Sequence, residues 1–262
     1  RWIVIWHNDY IAPLERPPVS FMWTLRAVHR GDDTVFLSEN GIIQGYSDGT
    51  FRPDNAINRA ELLKMVMEGQ KVLTDGENDV AKSATEAMSA SASITVSFSD
   101  AEPSAWYAPY LQTAFAQGIV VGYSDGTFRP SKTVNLAEAL KIILLTFETP
   151  IEAVQVSSAP YPDVSLDSWF VAYALYSRDA NLVDADDFGF FHAETLMTRG
   201  DIADILYRLI SIREAGLSSF DISRDWPTFT RQEHHFSIRY PSDWALEQSE
   251  NQQYIELIDR AP

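Results

Sequence analysis

Apolar side chains fall at three- and four-residue steps in three separated stretches: Leu62, Leu63, Val66 and Met67; Leu140, Ile143, Leu144 and Phe147; Ile202, Ile205, Leu206, Leu209 and Ile210. That spacing predicts an amphipathic helix in each, with an apolar face too wide for one helical hairpin to cover. All three open alike. Asn58-x-x-Glu61, Asn135-x-x-Glu138 and Thr198-x-x-Asp201 set a side-chain N-cap three residues before a carboxylate, the reciprocal arrangement of a capping box, with aspartate a shorter variant in the third. Ile57, Val134 and Met197 before the caps, with Leu62, Ala139 and Ile202 after them, stand where a hydrophobic staple joins. A further stripe, Trp106, Tyr110, Leu111, Ala114 and Phe115, predicts a helix ended by Gly118.

The helices belong to repeats. Gly-Tyr-Ser-Asp-Gly-Thr-Phe-Arg-Pro occurs unchanged at Gly45 to Pro53 and at Gly122 to Pro130. Gly41-Ile42-Ile43 and Gly118-Ile119-Val120 precede the two copies, so the unit is longer than the loop. A worn third copy lies 63 positions on: Asp100 maps to Asp163, Trp106 to Trp169, Gly126 to Gly189, Phe128 to Phe191 and Glu138 to Asp201. The first two loops are 77 positions apart, which implies an insertion at Thr74 to Thr95. Rich in Glu, Asp, Ala and Ser, that stretch buries too little to offset its ordering entropy and reads as a mobile surface excursion. Each unit reads as helix, loop, helix, and stacking copies cover faces that one copy leaves bare.

Composition narrows the partners. Twenty basic against 37 acidic side chains leave 262 residues with a formal charge of −17. Such a balance disfavours the phosphate binding that drives nucleic-acid and anionic-membrane association, so an anionic partner has to be met locally. Zero cysteines exclude disulfides, thiolate metal sites and cysteine nucleophiles. No apolar run is long enough to span a membrane. The start, Arg1-Trp2-Ile3-Val4-Ile5-Trp6, is no signal peptide, and with no initiator Met the chain reads as a segment of something larger. Asp184-x-Asp186-Asp187 lacks the spacing of a calcium loop, and His234-His235 would point to opposite faces of a strand. No nucleophile elbow, phosphate loop or dinucleotide fingerprint occurs. Neither catalysis, a metal nor a cofactor is expected.

Two arginines stand out by position. Arg59 and Arg199 follow directly on an N-cap, where a cation faces the positive end of the helix dipole at a cost of about 0.3–1 kcal/mol. A ligand carboxylate or phosphate held jointly by the guanidinium fork and the free backbone N–H groups would offset this. Pairing with Asp48 or Glu61, or simple solvation, is the competing reading for Arg59. Trp106 and Trp169, with Asp100 and Asp163, suit a sugar: an indole face stacks on ring C–H while a carboxylate addresses hydroxyls. For the tryptophans a core position competes evenly; for the aspartates capping of the first helix is favoured. Gly45-Tyr46 and Gly122-Tyr123 are placed to let a ligand approach the backbone, with turn formation as the other reason for the glycines.

Together, an aromatic-x-Asp opening, a first-helix Trp, Gly-Tyr-x-Asp-Gly-Thr-Phe-x-Pro and Asn-Arg-Ala-Glu closely resemble the S-layer homology (SLH) domain, over roughly Gly41 to Ile212. The resemblance implies a mainly α fold: three repeats packed as a pseudo-threefold bundle, whose grooves bind an acidic, often pyruvylated, cell-wall polysaccharide or peptidoglycan. It assigns the anion to Arg59 and Arg199, and implies an extracellular, cell-surface protein held non-covalently to the cell envelope. In this reading 33–73 form an incomplete first repeat, 74–97 the insertion, 98–150 the second and 151–215 the third. Residues 1–32 stay unassigned; His29 falls at the tryptophan position. Leu136 replaces the arginine of the second repeat, and Ala185 to Phe191 replaces the ideal loop of the third, so one or two grooves are expected to be silent.

Past Ser219 the pattern changes. Phe236 to Trp244 and the following Tyr254 to Ile258 predict a β-hairpin, similar to the Phe-x-Ile-x-Tyr-Pro-x-x-Trp opening of PsbP-like modules. Residues 216–262 are therefore read as a linker and the start of a β-containing module. Two strands alone would be marginally stable, so the rest of that module and a linked cargo domain are expected beyond Pro262.

Overall fold

The computed structural model of the chain describes residues 2–5, 36–46, 48–75, 98–221, 228–231, 236–239, 244–248 and 254–258. Most of the proposed insertion, from residue 76 on, lies outside these, as do His29 and His234-His235. The chain divides into two units, residues 1–22 with 221–262, and residues 23–220.

The larger unit is helical. Residues 36–39 form a short helical turn. Helices α1 (Arg59–Asp75), α2 (Ala108–Ala116), α3 (Leu136–Thr146), α4 (Val171–Asp179) and α5 (Arg199–Ala215) follow, with a 3-10 turn at Ile151–Ala153. Helix α1 packs against α2, α3 and α5, and α3 against α4. All three capping boxes form: Glu61 N–H donates to Asn58 Oδ1 at 2.9 Å, and the reciprocal bonds close at Asn135 with Glu138 and at Thr198 with Asp201. The predicted faces make the core, with Leu62, Leu63, Val66, Leu140, Ile143, Leu144, Ile202, Leu206, Leu209 and Ile210 all fully buried. Each such side chain contributes about 1.5–3 kcal/mol of burial. Because α1 runs to Asp75, Thr74 and Asp75 are helical rather than part of a surface excursion.

Backbone bonds tie the three helix starts in a closed circuit. Ile57 N–H donates to the Met197 carbonyl (2.9 Å), Val134 N–H to that of Ile57 (3.3 Å), and Met197 N–H to that of Val134 (2.9 Å). Each start also leans on the next loop: Arg59 N–H reaches Lys132 O, Leu136 N–H reaches Thr195 O, and Arg199 N–H reaches Asn55 O. These staple residues, Ile57, Val134 and Met197, are buried at its centre.

Within each loop, Tyr46 N–H donates to Thr50 O and Gly49 N–H to Tyr46 O, and the pattern recurs at Tyr123 and Thr127. Arg52, Arg129 and His192 occupy one register and share a left-handed backbone, at φ 55°, 58° and 56°. Phe128 and Phe191 return to the core at 0% and 3% exposure, whereas Phe51 is only half-buried. Gly122 has no room for a side chain: a Cβ there would stand 2.2 Å from Phe98 Cε1 and 3.0 Å from Thr127 O, whereas at Gly45 it would meet Thr50 O at 3.1 Å. We therefore expect Gly122→Ala to destabilise the unit by about 2 kcal/mol and Gly45→Ala by less, measured by urea unfolding. Equal losses at the two positions would contradict this packing.

Helix α2 corrects one expectation. Leu111 and Ala114 are buried, but Trp106 lies before the helix and is 55% exposed, off the apolar stripe.

The smaller unit holds strands β1 (Trp2–Ile5), β2 (Thr228–Arg231), β3 (Phe236–Arg239), β4 (Ala245–Gln248) and β5 (Tyr254–Ile258). The expected hairpin partners differ. Phe236–Arg239 pairs antiparallel with Thr228–Arg231, and Tyr254–Ile258 pairs with Ala245–Gln248 on one side and Trp2–Ile5 on the other. Thus the start of the segment left unassigned, 1–32, supplies an edge strand to a three-stranded sheet. A long-range pairing of this kind leaves no local sequence signal.

Candidate functional site

The two helix-start arginines are 7% exposed and lie at corresponding junctions. Arg59 Nε donates to the Phe128 carbonyl at 3.0 Å, and its guanidinium sits 4.7 Å from the Phe128 ring and 5.3 Å from that of Tyr123. Arg199 repeats this: Nε to Phe51 O at 3.1 Å, Nη2 to Gln44 O at 3.0 Å, with the Phe51 and Tyr46 rings 4.8 and 5.1 Å away. Fixed by a carbonyl and by aromatic faces, each guanidinium is oriented before any ligand arrives.

Neither has an acidic partner among the described residues. Asp48 is taken by Arg52 at 2.7 Å, and Glu61 closes its capping box, which removes the two internal pairings considered for Arg59. The free backbone N–H groups expected beside them are not free, because Arg59 and Ala60 donate to Lys132 O and Pro130 O, and Arg199 and Gly200 to Asn55 O and Pro53 O. What these helix starts leave available is therefore side-chain donors rather than backbone N–H groups.

A cavity of about 240 Å³ opens beside Arg59, lined also by Gly122, Tyr123, Glu138, Lys141 and Trp169. Trp169 is 57% exposed, with its ring 5.6 Å from Lys141 Nζ. The corresponding face at Arg199 carries Tyr46, Gln44, Lys64 and Trp106: Lys64 Nζ donates to Gln44 Oε1 at 2.6 Å and lies 6.0 Å from the Trp106 ring. Exposure settles the even choice for both tryptophans in favour of the surface. The lysines escaped the motif reading. Their signal is periodic: Lys64 and Lys141 each stand three residues after a capping-box Glu, one repeat apart.

Two expectations are corrected. Asp100 and Asp163 do not cap the helices that follow them. Asp100 takes the N–H of Phe128 (2.7 Å) and Arg129 (2.8 Å), and Asp163 those of Phe191 (2.9 Å) and His192 (2.8 Å), so each latches the loop of its own repeat. The first helices begin instead at Tyr107 and Phe170, without side-chain caps. Gly45 and Gly122 are already required by packing, since a Cβ would crowd Thr50 O at the first and Phe98 and Thr127 O at the second, and Gly122 also lines the Arg59 cavity. Tyr46 and Tyr123 remain on the grooves, each also stacked on by a loop arginine, Arg52 at 4.0 Å and Arg129 at 3.9 Å.

Electrostatics hold these loops. The hydroxyl of Thr127, then Arg129 and the Thr127 N–H, lower Asp125 from the ordinary 3.8 to about 2. A depressed carboxyl stabilises the fold above its unfolded value, and that contribution fades as pH falls from about 4 through about 2. We expect a carbon-13 NMR titration to place the Asp125 midpoint near 2 in the folded chain; a midpoint near 3.8 would mean the loop network does not persist in solution.

The third junction is built differently. Leu136, 4% exposed, replaces the arginine; Asp186 stands where Tyr46 and Tyr123 do, and Asp204 where Lys64 and Lys141 do. Asp186 takes the N–H of Phe188 and Phe190 and contacts His192 at 2.7 Å. Arg208, buried, bridges Asp184 (3.0 Å) and Asp204 (2.9 Å).

A helical unit whose surface junctions carry immobilised arginine beside exposed tryptophan has the make-up of a ligand-binding module. Residues 36–63 and 97–140 match the S-layer homology domain family. The third unit lies outside the matched segments. The chain is 31% identical over 139 residues to cell surface glycoprotein 1 of Acetivibrio thermocellus, covering 51% of this chain and 5% of that protein. It is 27% identical over 154 residues to the cellulosome-anchoring protein of the same organism, 56% of this chain and 31% of that one. An exoglucanase from that organism matches at 21% over 178 residues, 66% of this chain and 15% of the relative. The chain thus spans less than a third of the length of each of these relatives.

Proposed function

We propose that this chain is a non-catalytic anchor that holds an extracellular, cell-surface protein to the cell envelope. Acidic groups of a secondary cell-wall polysaccharide or of peptidoglycan enter the grooves at Arg59 and Arg199, and Trp169 and Trp106 support the sugar rings. In this reading the three repeats pack as a pseudo-threefold bundle, with the backbone circuit through Ile57, Val134 and Met197 at its axis. The observation that carries the reading is the pair of oriented guanidinium groups with no carboxylate partner among the described residues, in a chain of net charge −17. A pyruvyl carboxylate is a compact planar anion of the kind a guanidinium fork holds in a bidentate manner. Tyr46 and Tyr123 line the same grooves; Asp100 and Asp163 serve them only by fixing the loops. Nucleic acid is disfavoured by charge. No helix among the described residues is long and apolar enough to cross a membrane.

The test is sedimentation with purified cell-wall sacculi. The chain should co-sediment with them and stay in solution when their acidic polysaccharide has been stripped. Equal retention on stripped and untreated walls would sink the polysaccharide reading and leave peptidoglycan. A second reading, that the chain tethers a larger envelope enzyme, is favoured by the exoglucanase similarity. It predicts the same retention, together with sugar release by the longer protein and none by this chain.

A further inference from the structure

Basic side chains of the helical unit sort into two groups. Arg52, Lys71, Arg129, Lys132, Arg178 and Arg208 each have a carboxylate at 3.0 Å or less. Arg59, Lys141, Arg199 and Lys64 make no ion pair among the described residues, and these four occupy the two grooves. Arg213, the remaining basic side chain among the described residues of the unit, also makes no ion pair there, but it lies outside the grooves and donates to Phe147 O and Thr149 Oγ1. Acids outnumber bases 37 to 20 along the chain, so chance pairing would favour a carboxylate beside each. The one acid that lines the Arg59 cavity, Glu138, is already held by Lys132 at 2.9 Å and by its capping box.

Arginine alone leaves the anion underheld. Arg59 and Arg199 commit Nε to a carbonyl, Arg199 commits Nη2 as well, and the neighbouring helix N–H groups are taken. Lys141 and Lys64 face the same space, half-buried, each ammonium close to its groove's tryptophan. A flexible lysine stem closes on a charge that the fixed arginine has oriented.

We infer that Lys64 and Lys141 are ligand-binding residues: each competent groove is a clamp of one rigid arginine and one mobile lysine for a single acidic substituent, and the third junction takes none. The inference rests on the anchoring reading above. At the third junction neither half of the clamp is present, with Leu136 for arginine and Asp204 for lysine; Arg208 already bridges Asp184 and Asp204, and His192 is held by Asp186. A carboxylate placed there would meet acids with no available counter-charge. Each chain therefore holds two acidic substituents.

Sedimentation with sacculi, run over a range of wall concentrations, tests this with four variants: Arg59→Ala with Arg199→Ala, Lys64→Gln with Lys141→Gln, the same two lysines to Arg, and Asp204→Ala. Unchanged thermal midpoints of the lysine variants show that they fold. The glutamine pair is expected to weaken retention about tenfold or more, the arginine pair to restore it, and Asp204→Ala to leave it unchanged. Wild-type retention in the glutamine pair, alongside loss in the alanine pair, overturns the clamp and leaves the anchoring reading intact. Retention that survives the arginine-to-alanine pair defeats the arginine grooves of the anchoring reading, and the clamp with them. A weakening by Asp204→Ala at an unchanged thermal midpoint would show that the third junction binds and overturn its silence.

Discussion

Truncating Phe128 to alanine is expected to cost the helical unit about 4 kcal/mol, lowering its thermal midpoint by about 10 °C. The ring is 0% exposed, packs 5.7 Å from Phe98 and lies under the Arg59 guanidinium at 4.7 Å. Its backbone N–H is latched by Asp100, and its carbonyl orients Arg59 Nε. One residue therefore joins the core, the loop and the groove. The phenylalanine of the first loop, Phe51, is only half-buried, and Phe51→Ala should cost roughly half as much. Urea unfolding of the two variants checks this; a loss below about 1 kcal/mol at Phe128 would mean the loop closes without its anchor.

The largest functional effect belongs to the arginines. Replacing Arg59 and Arg199 together by alanine should weaken retention on sacculi at least about 100-fold, since charge-assisted hydrogen bonds contribute about 1.5–3 kcal/mol each and tenfold is about 1.4 kcal/mol. Replacement by lysine separates charge from geometry. Lysine keeps the cation but loses the planar fork and the Nε contact with Phe128 O or Phe51 O, so retention should stay within about fivefold of the alanine variant. Full rescue by lysine would mean that the grooves attract by charge alone. Thermal midpoints monitor the buried carbonyls that either change leaves without a partner.

Where the chain repeats itself, sequence and structure agree closely. The capping boxes at Asn58, Asn135 and Thr198 formed as read, because a cap and its carboxylate are three residues apart and depend on nothing distant. The apolar faces of α1, α3 and α5 became the core for the same local reason. The site was legible only in part. Arg59 and Arg199 were conspicuous through an unfavourable place on a helix dipole, yet what offsets it, carbonyls and aromatic rings about 70 or more residues away in sequence, follows from how the units meet. Asp100 and Asp163 were misread because a carboxylate beside a helix start suggests a cap, while the backbone N–H donors they accept from lie 28 and 29 residues further on. Lys64 and Lys141 were passed over since a lysine on a polar helix face looks solvated until the facing tryptophan is known. Strand β1 was missed because its partner, β5, lies at the other end of the chain.

The most direct measurement is a nitrogen-15 NMR titration of the chain with soluble acidic polysaccharide released from sacculi, following arginine Nε–H and tryptophan indole signals. Movement of Arg59, Arg199, Trp106 and Trp169 together, with the amides around Leu136 and Asp204 still, is the predicted result. Polysaccharide that binds while both arginine signals stay where they were would contradict the account.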